Sequence, residues 1–272
     1  MGDLSPSEAQ ESRIPLLLGV SLKLYLDIAS SRAWARGVAR VAEQRSNVLG
    51  RAVRLFALPS LPALDAVRTE LAGSPVVLGA QDLHWVDRGP FTGEVSGADL
   101  RDAGCEFVEV GHAERRALFG ETDDIVGLKL AAAVRNGLTP VLCIGELAEG
   151  SAESAIAESC AQLASALEAL DPAVRSELVV AYEPVWAIGK SRPAGVEHVA
   201  LVVAALRRTL DDDARITASW VIYGGSAQFG SLTELGDSVD GLFMGRFAHD
   251  PDELARVIDE AAEVASQAKG VG

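Results

Sequence analysis

Glu183 stands in the stretch AYEPVWAIG, at the end of an apolar run and directly before a proline. A run of that kind reads as a buried strand, where an ionised carboxylate is costly unless it has a task. Other reactive side chains occupy comparable places. His112 follows an apolar run in GHAERR, Lys23 closes SLK, and glycine-bearing turns end the runs before YGGS and MGR. A carboxylate can take a proton from a carbon next to a carbonyl. A histidine can polarise that carbonyl and shuttle protons between oxygens. A lysine supplies fixed positive charge for an anionic substrate and a developing enediolate. Exposed backbone N–H groups in the glycine turns can cradle a phosphate. Brought onto one surface, these groups describe an aldose–ketose isomerase acting on a sugar phosphate with no cofactor.

Such chemistry needs a scaffold that gathers distant positions, and the periodicity provides one. Short apolar runs at 14–21, 53–58, 76–81, 107–111, 140–145, 178–182, 216–223 and 241–245 read as strands. Helical patterns follow them at 30–44, 61–72, 97–103, 124–135, 152–170 and 196–210, with a short segment from Ser231. The last helix has a clear start, since Asp250 can cap it and Pro251 suits its first turn. The strands are continuous apolar runs, as when both faces are covered. No Gly/Ser/Pro-rich linker divides the series. The expected fold is α/β, a single (β/α)8 barrel of eight parallel strands over 13–272, after a short disordered tail over 1–12. A doubly wound open sheet is the alternative, and the first strand–helix junction lacks the GxGxxG of a dinucleotide fold. In a barrel the reactive face lies at the C-terminal ends of the strands. Ser21, Lys23, Gln81, His112, Glu146, Glu183, Ser226, Gly245 and Arg246 would then share one rim.

Composition narrows the partners. Lys plus Arg number 24 against 39 for Asp plus Glu, a net charge of -15. That argues against unspecific nucleic-acid binding, which needs a basic surface. The cysteines, Cys105, Cys143 and Cys160, are odd in number and lack CxxC spacing, as expected of core residues in a reduced cytoplasm. No metal-site spacing, signal peptide or transmembrane run is read.

The motifs AYEPVWAIG, VGHAERRALFGE, GAQDLHW with FTGE, VLCIGE and YGGS closely resemble triosephosphate isomerase, in order, from Ile14 to about Ala262. The pairing of a glutamate base with a neutral histidine is a known property of that family. The resemblance implies a TIM barrel in which Glu183 is the base, His112 the electrophile and Lys23 the active-site lysine. It implies backbone phosphate donors at Gly189, Ser226 and Gly245, with Glu114 supporting the lysine. Residues 184–194 match a lid that closes over substrate, and FTGE matches a loop that projects into a second subunit of a homodimer. Interconversion of dihydroxyacetone phosphate and glyceraldehyde 3-phosphate is the first expectation. For Arg115 and Arg116 a structural ion-pair network is expected, and for Gln81 and Thr92 a structural or interfacial role.

Three departures bear on the substrate. Where the family usually has NWK, this chain has SLK, so Ser21 replaces an amide donor, and a larger substrate or a water would have to fill the gap. Loss of such a donor costs on the order of 3 kcal/mol in barrier. Arg246 replaces a glycine, and its side chain either adds a contact to the phosphate or pairs with Asp250. The lid reads GKSRPA, with Ser191 for a glycine and Pro193 near the hinge. Serine and arginine at these places resemble a branch that isomerises tetrose (erythrulose) phosphates. A non-catalytic sugar-phosphate binder on the same scaffold is the third reading.

Overall fold

The computed structural model describes residues 15–189 and 193–269. The tail expected over 1–12, and the lid position Ser191, lie outside the described residues. Among the described residues, eight parallel strands close on themselves in sequence order. They are β1 (Leu16–Ser21), β2 (Val53–Leu58), β3 (Val76–Ala80), β4 (Phe107–Val110), β5 (Thr139–Ile144), β6 (Ser176–Tyr182), β7 (Ile216–Tyr223) and β8 (Gly241–Met244). The ring shuts where Leu17 to Val20 pair with Gly241 to Met244. Trp34 reinforces this seam by donating its indole N–H to the Ala248 carbonyl, 2.9 Å away.

The alternation of side chains along each strand divides the core in two. One set, including Leu17, Phe56, Phe107, Val141, Val179, Trp220, Ile222 and Phe243, fills the barrel interior. The residues between them, such as Leu18, Val108, Leu142, Val180 and Leu242, face outward and pack with the helices in the larger cluster. The interior is tight at its lower end. Phe56 stacks on Phe107 with ring centroids 4.6 Å apart. A Cβ on Gly19 would lie 2.2 Å from the Phe56 ring, so only glycine leaves that ring its place.

The outer layer contains α1 (Ile28–Gln44), α2 (Leu64–Leu71), α3 (Gly97–Asp102), α4 (Ala113–Phe119), α5 (Asp123–Arg135), α6 (Ala152–Glu168), α7 (Val196–Asp211), α8 (Ser231–Leu235) and α9 (Pro251–Lys269). The expected element order is present, with one addition. Helix α4 has no buried residue, so apolar periodicity gives it no signal. Helix α1 begins two residues before the expected Ser30, because Asp27 caps it by accepting the Ser30 N–H at 2.7 Å. The pattern over 61–72 splits into a 3-10 turn at Leu61–Ala63, which holds Pro62, followed by α2. Asp250 caps α9 as expected, its carboxylate accepting the Asp252 N–H at 2.9 Å.

Candidate active site

The strand ends bring Ser21, Lys23, His112, Glu114, Glu183, Gly189, Ser226, Gly245 and Arg246 around one cleft of about 260 Å³. Of the residues expected on one rim, Gln81 and Glu146 do not line this cleft: Gln81 lines the adjoining one and Glu146 is buried. Glu183 follows β6 in the inward-facing register of Val179 and Ala181 and is buried to 4% exposure. Among the described residues its Oε2 has no hydrogen-bond partner, and it lies 3.7 Å from His112 Nε2. Burial raises its pKa above the usual carboxylate value, and His112 and Lys23 oppose that rise. An unpartnered buried carboxylate oxygen facing a cleft is a strong acceptor for a substrate proton.

Gly224 makes room for this carboxylate. A Cβ there would stand 2.7 Å from Glu183 Cγ and 2.8 Å from its Oε1. Gly224→Ala should displace the base and lower isomerase turnover by about 100-fold. Steady-state kinetics on protein with unchanged circular dichroism would test this, and wild-type turnover in the variant would contradict it.

His112 caps α4, and its Nδ1 accepts the Glu114 N–H at 3.1 Å. In the neutral ring this puts the remaining proton on Nε2, the nitrogen that faces the cleft. Lys23 lies in the left-handed region, at φ 48°. Such a conformation costs a non-glycine residue about 1–2 kcal/mol and clusters at functional sites. Gln81 holds it there, donating its amide to the carbonyls of Lys23 (3.1 Å) and Leu58 (2.9 Å), the structural role expected of it. The Lys23 ammonium bonds Glu114 at 2.6 Å. Burial pulls its pKa down, but the Glu114 bond and the charges of Glu183 and Glu109 outweigh that, so the net shift is upward.

The end of β7 and the loop after it contact both ends of the segment matched to a lid. Ser226, also left-handed at φ 63°, donates its hydroxyl to the Ala187 carbonyl and accepts the Gly189 N–H at 3.0 Å. Tyr223 accepts the Ala194 N–H at 3.3 Å. In this state the Gly189 N–H is engaged by Ser226, and the Ser226 N–H by the Gly224 carbonyl. Both groups reach a phosphate only by exchanging these bonds. Glu146 is buried and accepts from Tyr182 and from Trp186 Nε1 at 2.7 Å, with His198 Nε2 at 3.1 Å. This carboxylate joins β5, β6, the segment at Trp186 and α7.

Arg246 does not pair with Asp250, the second of its two expected courses. Its guanidinium stands 5.4 Å over the Tyr25 ring, at the edge of the cleft, and among the described residues no carboxylate pairs with it. Arg115 and Arg116 are structural, as expected. Arg115 bonds Glu121 and Asp82, and Arg116 bonds Asp123 and the Gly111 carbonyl.

The sequence reading passed over Glu109. It lies within β4, is 3% exposed, and accepts the Ser21 hydroxyl at 3.2 Å. Burial pushes its carboxyl up to about 7, with Glu183 adding to the rise and His112 and Lys23 opposing it. The signal was available. A charge two residues after inward-facing Phe107 must also face inward.

The family profile for triosephosphate isomerase matches residues 16–261. The chain belongs to the triosephosphate isomerase family. It is 51% identical over 254 residues to an L-erythrulose-1-phosphate isomerase of Pectobacterium atrosepticum, covering 93% of this chain and 98% of the relative. An L-erythrulose-1-phosphate isomerase of Mycolicibacterium smegmatis is 42% identical over 91% of this chain and 93% of its own. A triosephosphate isomerase of Synechococcus sp. (strain JA-2-3B'a(2-13)) is 38% identical, covering 90% and 96%. This family member is thus an isomerase of the aldose–ketose type on a closed eight-stranded barrel. Among its described residues no helix is long and apolar enough to cross a membrane.

Proposed function

We propose that this family member isomerises a four-carbon ketose phosphate, L-erythrulose 1-phosphate. The reaction type rests on one observation, the unpartnered Glu183 Oε2 facing His112 Nε2 across 3.7 Å. The carbon number is supported by the 51% identity to an L-erythrulose-1-phosphate isomerase, against 38% to a triosephosphate isomerase. This favours the tetrose phosphate over the triose phosphate that the motifs first suggested. The small side chain of Ser21 agrees with a substrate larger by one carbon.

The proposed steps conserve every atom. In erythrulose 1-phosphate the carbonyl is at C2 and the phosphate on C1. Glu183 removes the proton from C3, on the side away from the phosphate, and the C–H electron pair forms the C2–C3 enediolate. His112 Nε2–H donates to the oxygen developing charge and relays a proton from one oxygen to the other. Glu183 then returns its proton to C2, leaving the carbonyl at C3. On dihydroxyacetone phosphate the same transfers give the aldehyde. Lys23, fixed by Glu114, offsets the negative charge, and Arg246 and the Gly245 turn receive the phosphate. Glu114 itself is held below the usual carboxylate value: burial raises it, but the Lys23 bond and charge prevail.

Coupled assays on both substrates test this reading. The expected result is a kcat/KM for L-erythrulose 1-phosphate at least 10-fold above that for dihydroxyacetone phosphate. A preference for the triose would return the function to the triose reaction. Absence of turnover on either, with ligand bound, would favour the non-catalytic reading. We also infer a homodimer. Phe91, Thr92, Gly93 and Glu94 form an exposed loop, and exposed Leu118 and Phe119 line a neighbouring cleft of about 500 Å³ that could receive its counterpart from a second copy.

A further inference from the structure

Ser21, Lys23, His112 and Glu114 form a wall shared by two adjoining clefts. The residues assigned to the phosphate, Gly189, Ser226, Gly245 and Arg246, line only the first. Glu109 lines only the second. A substrate whose phosphate lies among the first group, and whose reacting carbons lie at Glu183 and His112, therefore points its far end toward the shared wall. Ser21 and Glu109 stand there together, joined by a 3.2 Å hydrogen bond.

Glu109 has no evident structural reason to be there. It occupies an inward position in a strand whose previous inward residue is Phe107, and an apolar side chain would avoid its desolvation. Its Oε2 accepts from Ser21. Its Oε1 accepts a long hydrogen bond from the Cys143 thiol at 4.0 Å and lies 3.9 Å from His112 Nε2. That oxygen retains capacity for a hydroxyl donor. No step of the proposed proton transfer uses it.

We propose that Glu109, oriented by Ser21, recognises the terminal hydroxymethyl group of a four-carbon ketose phosphate and sets the preference for four carbons over three. This rests on the reading of the substrate as a tetrulose phosphate. The hydroxymethyl O–H donates to Glu109 Oε1, and the Ser21 hydroxyl holds the carboxyl in place. Ser21 in place of the usual motif's asparagine, with the Glu109 carboxyl behind it, then trades a donor to the reacting oxygen for room and an acceptor beyond it.

The test compares wild type with Glu109→Gln and Glu109→Leu, the first keeping shape and the second guarding against a fold defect caused by a buried amide. Two ratios are read: kcat/KM for L-erythrulose 1-phosphate over dihydroxyacetone phosphate, and calorimetric affinity for erythritol phosphate over glycerol 3-phosphate. The two inert ligands differ by one CHOH group. One hydrogen bond to a carboxyl corresponds to roughly 10- to 100-fold, so Glu109→Leu should lower both ratios at least 10-fold. Equal losses on both members of each pair would make Glu109 a positioning residue for His112 and overturn the proposal. Unchanged ratios would overturn it too. Wild type that prefers dihydroxyacetone phosphate while still binding erythritol phosphate more tightly through Glu109 would remove the tetrulose reaction and leave the recognition site. Wild type that binds erythritol phosphate no more tightly than glycerol 3-phosphate would remove the site, whatever the assays show.

Discussion

Shortening Glu183 to aspartate should lower kcat by about 100-fold or more, since displacing a reacting group by about 1 Å is enough for a loss of that size. The carboxylate is held from several sides. Gly224 leaves no space for a side chain, the Glu183 N–H donates to the Ile144 carbonyl at 2.8 Å, and Pro184 follows at once. Aspartate on the same backbone falls short of the substrate carbon and cannot move forward to recover contact. Affinity for a phosphate-bearing inert ligand should change little, because the phosphate is bound by other residues. Steady-state kinetics and calorimetry together check this, and a variant equal to wild type would show that another group is the base. The pH profile adds a sign. The base works ionised, and its pKa is raised above 4.5. Activity should therefore fall on the acid side, with a midpoint above 4.5, as the carboxylate takes up a proton.

The second large effect is on stability. Lys129 on α5 is 3% exposed and bonds Asp82 and Glu121, both at 2.5 Å. Arg115 reaches the same two carboxylates from α4. Burial raises the Asp82 pKa, and the charges of Lys129 and Arg115 counter much of that rise. Lys129→Met keeps the stem and deletes the charge, leaving buried Glu121 and half-buried Asp82 to share one guanidinium. Breaking a buried pair from one side costs about 3–5 kcal/mol. For a domain of this size that corresponds to a melting temperature lower by ~10 °C. Scanning calorimetry would measure it. A change under ~3 °C would mean that Arg115 alone satisfies both acids. The same network lies just below Gln81, which holds Lys23, so the variant should also lose turnover.

How much of this was legible differs by residue, and the reasons are physical. Glu183, His112 and Lys23 were legible because each ends an apolar strand, and a barrel collects strand ends on one face. Helix α4 was not, because it buries nothing and so carries no apolar period. The fate of Arg246 was not legible either. Whether its guanidinium meets a phosphate, Asp250 or Tyr25 depends on Tyr25, far away in the chain and brought close only by the β1–β8 seam. The same holds for the phosphate donors. Gly189 and Ser226 were named, yet the bond that occupies the Gly189 N–H spans the lid and the loop after β7.

By itself, the sequence determined the fold, the family and the candidates for proton transfer. Those depend on local patterns: the period of apolar residues, the residue that ends each strand, and motifs of contiguous residues. Only the tertiary structure decided the surroundings of those groups. It put Glu109 against Ser21 across 88 positions of chain, left one oxygen of Glu183 without a partner, and directed the proton of His112 through the α4 N-terminus. Each of these is a distance between atoms remote in sequence, and closure of the ring is what fixes it.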